Sequence, residues 1–287
     1  MTVGNIKKIR GMKAANRIDS IWTHTLIAVL GILWLFPILW MIVRSFSDIP
    51  GVASSSFIPE KWTLDNYVNL FKNTQYTRWI INTLWVAVAN SIISTIIVLG
   101  CSYALSRYRF KFRKPFMNIA LILGMFPGFM AMLAIFLILD LLGMINQPVA
   151  LLLVYSSGAG LSFFVSKGYF DTIPVSLDEA ALIDGASHFK IFVKIILPLS
   201  KTIIIYTAML AFMIPWTDFI LAGLILTRPE KQTIAVGLYQ MTTEFTISSK
   251  FAMFTAGCLI VTAPIVIVYV LLQRFMIEGL SAGAIKG

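Results

Sequence analysis

Six long stretches of the chain carry almost no charged residues, and this pattern constrains the fold more than any other feature of the sequence. A helix needs about 20 consecutive apolar residues to cross the roughly 30 Å hydrocarbon core of a bilayer. The stretches therefore predict six transmembrane helices, at about 21–43, 79–106, 115–139, 149–166, 202–227 and 251–272. The fourth begins after a turn that Gly143, Asn146 and Pro148 predict.

Composition excludes the soluble classes of protein. Hydrophobic residues make up 58% of the 287 residues and charged residues only 13%, against about 45–50% and 25% in soluble domains. Disordered, collagen-like and disulfide-rich secreted chains are excluded as well, because this chain is rich in apolar residues and has only two cysteines. The predicted fold class is an all-α polytopic membrane protein.

The positive charges predict the orientation of the helices. The chain has 23 Lys and Arg residues and 13 Asp and Glu residues. Sixteen of the 23 cations lie in residues 1–20, the loop 107–114, the segment 167–201 and the tail 273–287. By the positive-inside rule these parts are cytoplasmic, and the net charge of +10 reflects topology and not nucleic-acid binding. A cleaved signal peptide is the alternative for the N-terminus, but the first apolar run exceeds the 7–15 residues of such signals.

The cytoplasmic segment 170–201 is much longer than a connector between two helices requires. Ser176 and Glu179 have the spacing of a capping box, which predicts a short helix over 177–184. Gly185 is the residue type that ends such a helix in a left-handed conformation. Ser187 can then cap a second helix that runs through Pro198. The segment therefore predicts a helix-turn-helix on the inner face of the membrane.

The same residues resemble the EAA loop of the permease subunits of bacterial ABC importers. The resemblance rests on Glu179-Ala180-Ala181, then Gly185 after three residues, Ile195 after nine more, and Leu197-Pro198. In that family the first helix of the loop docks on a separate ATPase subunit. The resemblance thus implies an ATPase-coupling role for Glu179, Ala180, Ala181, Asp184, Gly185, Ile195, Leu197 and Pro198. We call residues 170–201 the coupling loop. The alternative is that Glu179 only caps the helix and Gly185 only ends it.

Further motifs resemble the carbohydrate branch of that family, most closely the maltose and maltodextrin type. They are Phe57-Ile-Pro59, Leu64-Asp-Asn-Tyr67, Trp79-Ile-Ile-Asn82 and the run from Tyr103 to Phe110. The tail is similar to one whose C-terminus reaches the ATPase interface, which implies that role for Gly283, Lys286 and Gly287.

The resemblance implies an ATP-driven, binding-protein-dependent sugar importer in the bacterial inner membrane. The expected partners are a second homologous permease, two ATPase subunits and an extracytoplasmic sugar-binding protein. The sequence has no G-x-x-x-x-G-K-[ST] motif, so ATP and Mg²⁺ are expected on the partner ATPase. Its two histidines lie far apart in the sequence, and neither a metal site nor catalysis is expected.

An acidic residue within an apolar span is costly unless it faces the bundle or a wet cavity. Asp218, beside Trp216, is therefore a predicted substrate-path residue, because sugar hydroxyls bind polar groups next to aromatic planes. Asp218 could equally be paired within the bundle. Tyr155 and Ser156 offer hydroxyls to the same path, although the Ser and Gly residues of this span could equally permit close helix packing.

Two other classes of function remain as alternatives. A secondary transporter or channel usually marks its path with several charges within the spans or with an internal repeat, and neither is evident here. A membrane-embedded enzyme would need a His, Cys or paired-carboxylate constellation that the spans lack.

Overall fold

A computed structural model describes residues 3–49, 57–125, 127–159, 162–243 and 247–284. These ranges are predominantly helical and contain no β-sheet, only an isolated bridge between Ser47 and Trp62. The α-helices are α1 (Val3–Ser45), α2 (Asp65–Asn73), α3 (Tyr76–Arg107), α4 (Arg113–Gly124), α5 (Gly128–Leu141), α6 (Pro148–Ala159), α7 (Phe163–Asp171), α8 (Ser176–Ile183), α9 (His188–Ile191), α10 (Leu197–Leu199), α11 (Lys201–Thr217), α12 (Ile220–Ile225), α13 (Ile234–Gln240) and α14 (Ile247–Ala284).

Three helices in the described part of the chain are long and apolar enough to cross a bilayer without a break. They are Trp22–Ser45 within α1, the whole of α3, and Lys250–Gln273 within α14. Three bent helix pairs also qualify: α4 with α5 at 99°, α6 with α7 at 40°, and His188–Leu199 with α11 at 85°. The spans number up to six if each bent pair is one span. The chain is thus an all-α polytopic membrane protein, as the sequence predicts.

The structure differs from the sequence prediction inside three of the six stretches, which are interrupted and not single helices. The stretch 115–139 breaks before Pro127, whose ψ of 115° is extended. The stretch 149–166 breaks between α6 and α7. The stretch 202–227 breaks at Asp218, just after Pro215. Proline cannot donate the helical hydrogen bond, and it is present at two of these breaks.

The turn before α6 forms as predicted. Gly143 and Asn146 both adopt positive φ, at 66° and 64°, and α6 begins at Pro148. Asn146 also fixes the neighbouring loop, because its Oδ1 accepts from the N–H groups of Thr227 and Arg228, each at 2.8 Å. Asn146 thus connects the turn before α6 to the residues that follow α12.

Helix α3 lies at the centre of the packed bundle. It contributes buried residues to all four hydrophobic clusters of the described chain, among them Val86, Trp79, Leu99 and Leu105. The outer surfaces of α1 and α4 are instead apolar and exposed, as lipid-facing helices require. Helix α3 is therefore the element that connects the other spans.

A hydrogen bond between α3 and α11 compensates for the proline in α11. Pro215 has no N–H to offer to the carbonyl of Ala211, four residues before it. Asn90 of α3 donates its Nδ2 to that carbonyl at 2.7 Å, and Ser94 donates to Asn90 Oδ1 at 2.8 Å. Both side chains are fully or almost fully buried. The carbonyl that Pro215 leaves unpaired is thus satisfied from the neighbouring helix.

We expect Asn90→Leu to lower the free energy of unfolding by about 1–3 kcal/mol, because the Ala211 carbonyl and the Ser94 hydroxyl both lose a buried partner. Ser91→Ala is the matched control. It removes a similar bond across the same interface, to the carbonyl of Ala208, but residue 212 still offers its helical N–H there. Denaturant unfolding of the purified protein in detergent measures both. Equal losses for the two variants would contradict the role assigned to Asn90.

Candidate functional site: a coupling loop and a membrane cavity

The first helix of the coupling loop ends as the sequence predicts. Helix α8 ends at Ile183, and Gly185 takes a φ of 79°. The Gly185 N–H donates to Leu182 O at 3.0 Å and the Ala186 N–H to Ala181 O at 2.9 Å. These two bonds make a Schellman motif, which fixes the direction in which the chain leaves α8. The prediction that Gly185 terminates this helix is confirmed.

The predicted capping box does not form at the other end of α8. Helix α8 begins at Ser176, one residue before the predicted start, and no side chain caps it. Val175 is already helical, with φ −64° and ψ −25°, so Ser176 lies inside the first turn. The chain already turns before Ser176, because the carbonyl of Pro174 accepts from the Leu177 N–H at 3.2 Å. Glu179 therefore has no capping role here.

The second helix of the coupling loop begins at the predicted cap and then changes its hydrogen-bond pattern. Ser187 Oγ accepts from the Lys190 N–H at 3.3 Å. Residues 192–196 form a π-helical turn that ends two residues before Pro198, and the Leu197 N–H donates to Phe192 O. The helix ends at Leu199, and the chain turns by 85° into α11. The second helix of the coupling loop is thus joined to α11 by a single residue, Ser200, at a bend of 85°.

Buried apolar residues hold the coupling loop against the ends of α3, α7 and α11. One cluster joins residues of all these elements: Leu99, Tyr103, Phe170, Ile173, Ala181, Ile191, Ile196 and Ile203. The Tyr103 ring also lies 4.6 Å from that of Phe192, centroid to centroid. The loop is therefore packed on the bundle as part of the body of the protein.

A buried ion pair anchors α8 to α3, and the sequence analysis did not identify it. Arg107 Nε lies 2.7 Å from Asp178 Oδ2, and both side chains are less than 10% exposed. Arg107 also donates to the carbonyl of Ile173 at 3.0 Å. The only local signal in the sequence is the acidic Asp178 next to Glu179. Its partner Arg107 is the last residue of α3, far away in the sequence, so local rules do not reveal the pair.

The motif residues divide into an inward and an outward group. Ala181 is buried against the bundle, whereas Glu179, Ala180, Asp184 and Gly185 are exposed. Ile195 and Leu197 are half-buried and Pro198 is exposed. Three large apolar side chains of α8 are also exposed: Leu177, Leu182 and Ile183, the last at 87%. Helix α8 therefore presents an apolar surface with an acidic edge away from the protein.

A cavity of about 550 Å³ lies among α3, α6, α7 and α11. Most of its lining is apolar, and hydroxyl groups supply much of the rest: Ser94, Tyr155, Ser162, Ser166, Tyr206 and Thr207. Ser166 and Thr207 also lie within hydrogen-bond distance of each other, at 3.3 Å. Of these residues, only Tyr155 is predicted from the sequence. The signal for Ser162 and Ser166 was their spacing of four residues, which places both on one face of a helix.

Asp218 is paired within the bundle. Its Oδ2 accepts from the Tyr155 hydroxyl at 2.7 Å, and its Oδ1 accepts from the Leu221 N–H at 3.0 Å. The carboxylate therefore ties α6 to the corner between α11 and α12. Tyr155 lines the cavity, but Asp218 does not. The structure thus favours the paired alternative for Asp218 over direct exposure to the cavity.

The remaining predicted residues lie apart from the cavity. Ser156 donates to the carbonyl of Leu152 in its own helix at 2.6 Å, which fits the packing alternative. Trp216 is buried in a different cluster, with Tyr76 and Trp79. Gly283 lies in the last turn of α14, whereas Lys286 and Gly287 lie outside the described residues. No group of three His, Cys, Asp or Glu side chains that could hold a metal occurs among the residues searched.

The bundle of bent and unbroken spans, with a packed helix-turn-helix at one end, defines the class of polytopic membrane proteins. A family model of the inner membrane component of binding-protein-dependent transport systems matches residues 96–280. The chain belongs to this family, whose members are transport permeases and not enzymes.

Curated relatives match almost the whole chain. It is 37% identical to the galactooligosaccharides transport system permease protein GanQ of Bacillus subtilis (strain 168), covering 96% of this chain and 99% of the relative. It is 36% identical to the maltodextrin transport system permease protein MdxG of the same strain, covering 95% and 98%.

The fold also matches a solved structure. A chain of a bacterial ABC transporter involved in the import of the acidic polysaccharide alginate superposes with a TM-score of 0.76. The alignment covers 91% of this chain and 97% of the other, at 24% sequence identity. This likeness supports the fold described above.

We expect Asp178→Asn to loosen the coupling loop, because Arg107 would keep a buried charge without its partner. Breaking a buried ion pair costs about 3–5 kcal/mol. Hydrogen–deuterium exchange over residues 176–199 should accelerate accordingly. The control is Asp171→Asn, which removes the partly exposed pair with Lys167 and should cost at most about 1 kcal/mol. If the two variants exchange equally fast over the loop, the anchoring role of Arg107 is wrong.

Proposed function

We propose that this chain is a transmembrane permease subunit of an ATP-driven, binding-protein-dependent sugar importer that works by alternating access. The family membership and the curated relatives support this proposal. Those relatives are named for galactooligosaccharides and maltodextrin, so the proposed substrate is maltodextrin or a related oligosaccharide. A separate ATPase supplies the energy.

The observation that carries the proposal is the combination of exposure and rigidity in α8. Its outward side chains are apolar and accessible, which suits insertion into a cleft on another protein. At the same time the Schellman motif and the Arg107–Asp178 pair fix its orientation. A docked α8 would therefore transmit a push to the ends of α3 and α11 instead of absorbing it.

The route from α8 to the spans passes through the second loop helix. Residues 188–199 are helical throughout, and they reach α11 at Ser200, which is fully buried at the corner. Helix α11 borders the cavity through Tyr206, Thr207 and Leu210. Rotation of α11 would thus change the shape of the hydroxyl-bearing cavity, which is what alternating access requires.

The proposed assembly contains partners that supply what this chain lacks. A second homologous permease would complete the sugar path, and two ATPase subunits would bind ATP and Mg²⁺. An extracytoplasmic binding protein would deliver the sugar, with the segment 228–250 as its contact. The termini and the coupling loop would be cytoplasmic in a bacterial inner membrane, with Gly283, Lys286 and Gly287 near the ATPase.

Reconstitution in liposomes tests the proposal against a secondary transporter or channel. We expect uptake of radiolabelled maltodextrin only when the partner permease, the ATPase, the binding protein and ATP are all present. Liposomes that lack only the ATPase are the control. Accumulation of sugar against its gradient without the ATPase would overturn the proposal and favour the secondary transporter.

We expect Gly185→Val to uncouple ATP hydrolysis from uptake while the protein still inserts, because a β-branched residue opposes the φ of 79°. A Cβ at this position meets no atom within 4 Å, so the effect is one of backbone conformation and not of a clash. Gly185→Asn is the matched control, since asparagine tolerates the left-handed region. Uptake and ATPase rates are measured in the same liposomes. Wild-type uptake by the Val variant would show that this turn is dispensable.

A further inference from the structure

The segment between α3 and α4 alternates basic and aromatic residues. It reads Arg107-Tyr-Arg-Phe-Lys-Phe-Arg-Lys-Pro-Phe116 and contains no acidic residue. Arg107 is occupied by Asp178. The other four cations are Arg109, Lys111, Arg113 and Lys114, and together with Phe110 and Pro115 they line an open cleft of about 650 Å³. We call this cleft the basic cleft.

The charge of the basic cleft is only partly neutralised within the described part of the chain, where Arg113 interacts electrostatically with Asp171. The ion pairs found there are Arg107–Asp178 and Lys167–Asp171, and neither involves the four cations of the cleft. The nearby carboxylate of Asp171 also accepts from Ser106 Oγ at 2.6 Å, so it is already held by two partners. Helix α4 begins at Arg113 and adds the positive end of its dipole to the same region. The basic cleft therefore favours an anion.

Apolar surface continues directly from the basic cleft. Phe112 is 71% exposed, and Phe116 in the first turn of α4 is exposed as well. Further along α4, Ile119 and Ile122 are also exposed, as expected for a helix that faces hydrocarbon. The cations thus lie where two span-forming helices end, with an apolar path leading from them along α4.

We propose that the basic cleft binds an anionic phospholipid, with the headgroup phosphate among the four cations and an acyl chain along Phe112, Phe116 and α4. Charge complementarity selects the phosphate, and continuity with the exposed face of α4 selects a lipid over a soluble anion. A soluble protein partner would account for the four cations but not for the apolar surface of Phe112, Phe116 and α4, which would still face the bilayer. The proposal does not depend on the transported substrate.

Native mass spectrometry of the purified full-length chain tests the lipid site with phosphatidylglycerol as the probe and phosphatidylcholine as the reference. We expect preferential retention of phosphatidylglycerol by the wild type. The triple variant Arg109→Gln, Lys111→Gln, Lys114→Gln should weaken it roughly 100-fold, about fivefold for each cation near an anionic headgroup. Phe112→Ser should weaken it while keeping every charge.

The matched control removes the same number of charges elsewhere, in Lys61→Gln, Lys72→Gln, Lys231→Gln, and should retain the wild-type preference. Equal phosphatidylglycerol binding by the two triple variants would overturn the proposal. Displacement of the lipid by millimolar inorganic phosphate would assign the cleft to a free anion instead. If the triple variant of the basic cleft no longer copurifies with the ATPase but binds phosphatidylglycerol as the wild type does, the cleft would be assigned to a protein partner. Either of these last two results also overturns the lipid assignment.

Discussion

Side chains of α3 satisfy backbone groups at three places where neighbouring segments depart from regular helix, and the packing of those segments depends on this. Trp79 Nε1 donates to Pro229 O, Asn90 to Ala211 O, and Arg107 to Ile173 O. Irregular backbone is tolerated at membrane depth only where the protein supplies hydrogen-bond partners. The break in α11 and the backbone of the two loops at the ends of α3 therefore depend on polar side chains spaced along an unbroken α3.

This dependence explains which parts of the fold could be predicted from the sequence. Gly185, Ser187 and the turn before Pro148 act through neighbours a few residues away, so local rules identify them. The interruption of 202–227 is different. Pro215 leaves the carbonyl of Ala211 without its helical partner, and Asn90, which donates to that carbonyl, lies 121 residues away in the sequence. Apolar composition predicts that a stretch enters the membrane, but it does not reveal whether the helix is continuous.

The same distinction holds for the candidate site. The motif around Glu179 was recognisable because its residues are close in sequence, and it marks the exposed helix correctly. Its capping interpretation is wrong because Val175 is already helical, so that Ser176 lies inside the first turn. Asp178 and Arg107 come from different helices, so their pairing depends on tertiary packing. Asp218 was singled out by the cost of its charge, and Tyr155 with the Leu221 N–H meets that cost internally.

Because Asp218 uses both carboxylate oxygens to hold a corner, the chemistry of the cavity must come from hydroxyl groups and aromatic planes. Such groups donate and accept weak hydrogen bonds without a fixed charge, and a neutral ligand could leave them as readily as it enters. In the proposed mechanism, the wall of this cavity that moves is α11, which continues from the coupling loop through the corner at Ser200. In that mechanism, a rigid α8 and a cavity without strong binding charges would be complementary, because the helix would impose the movement and the cavity would release a neutral ligand when its walls move.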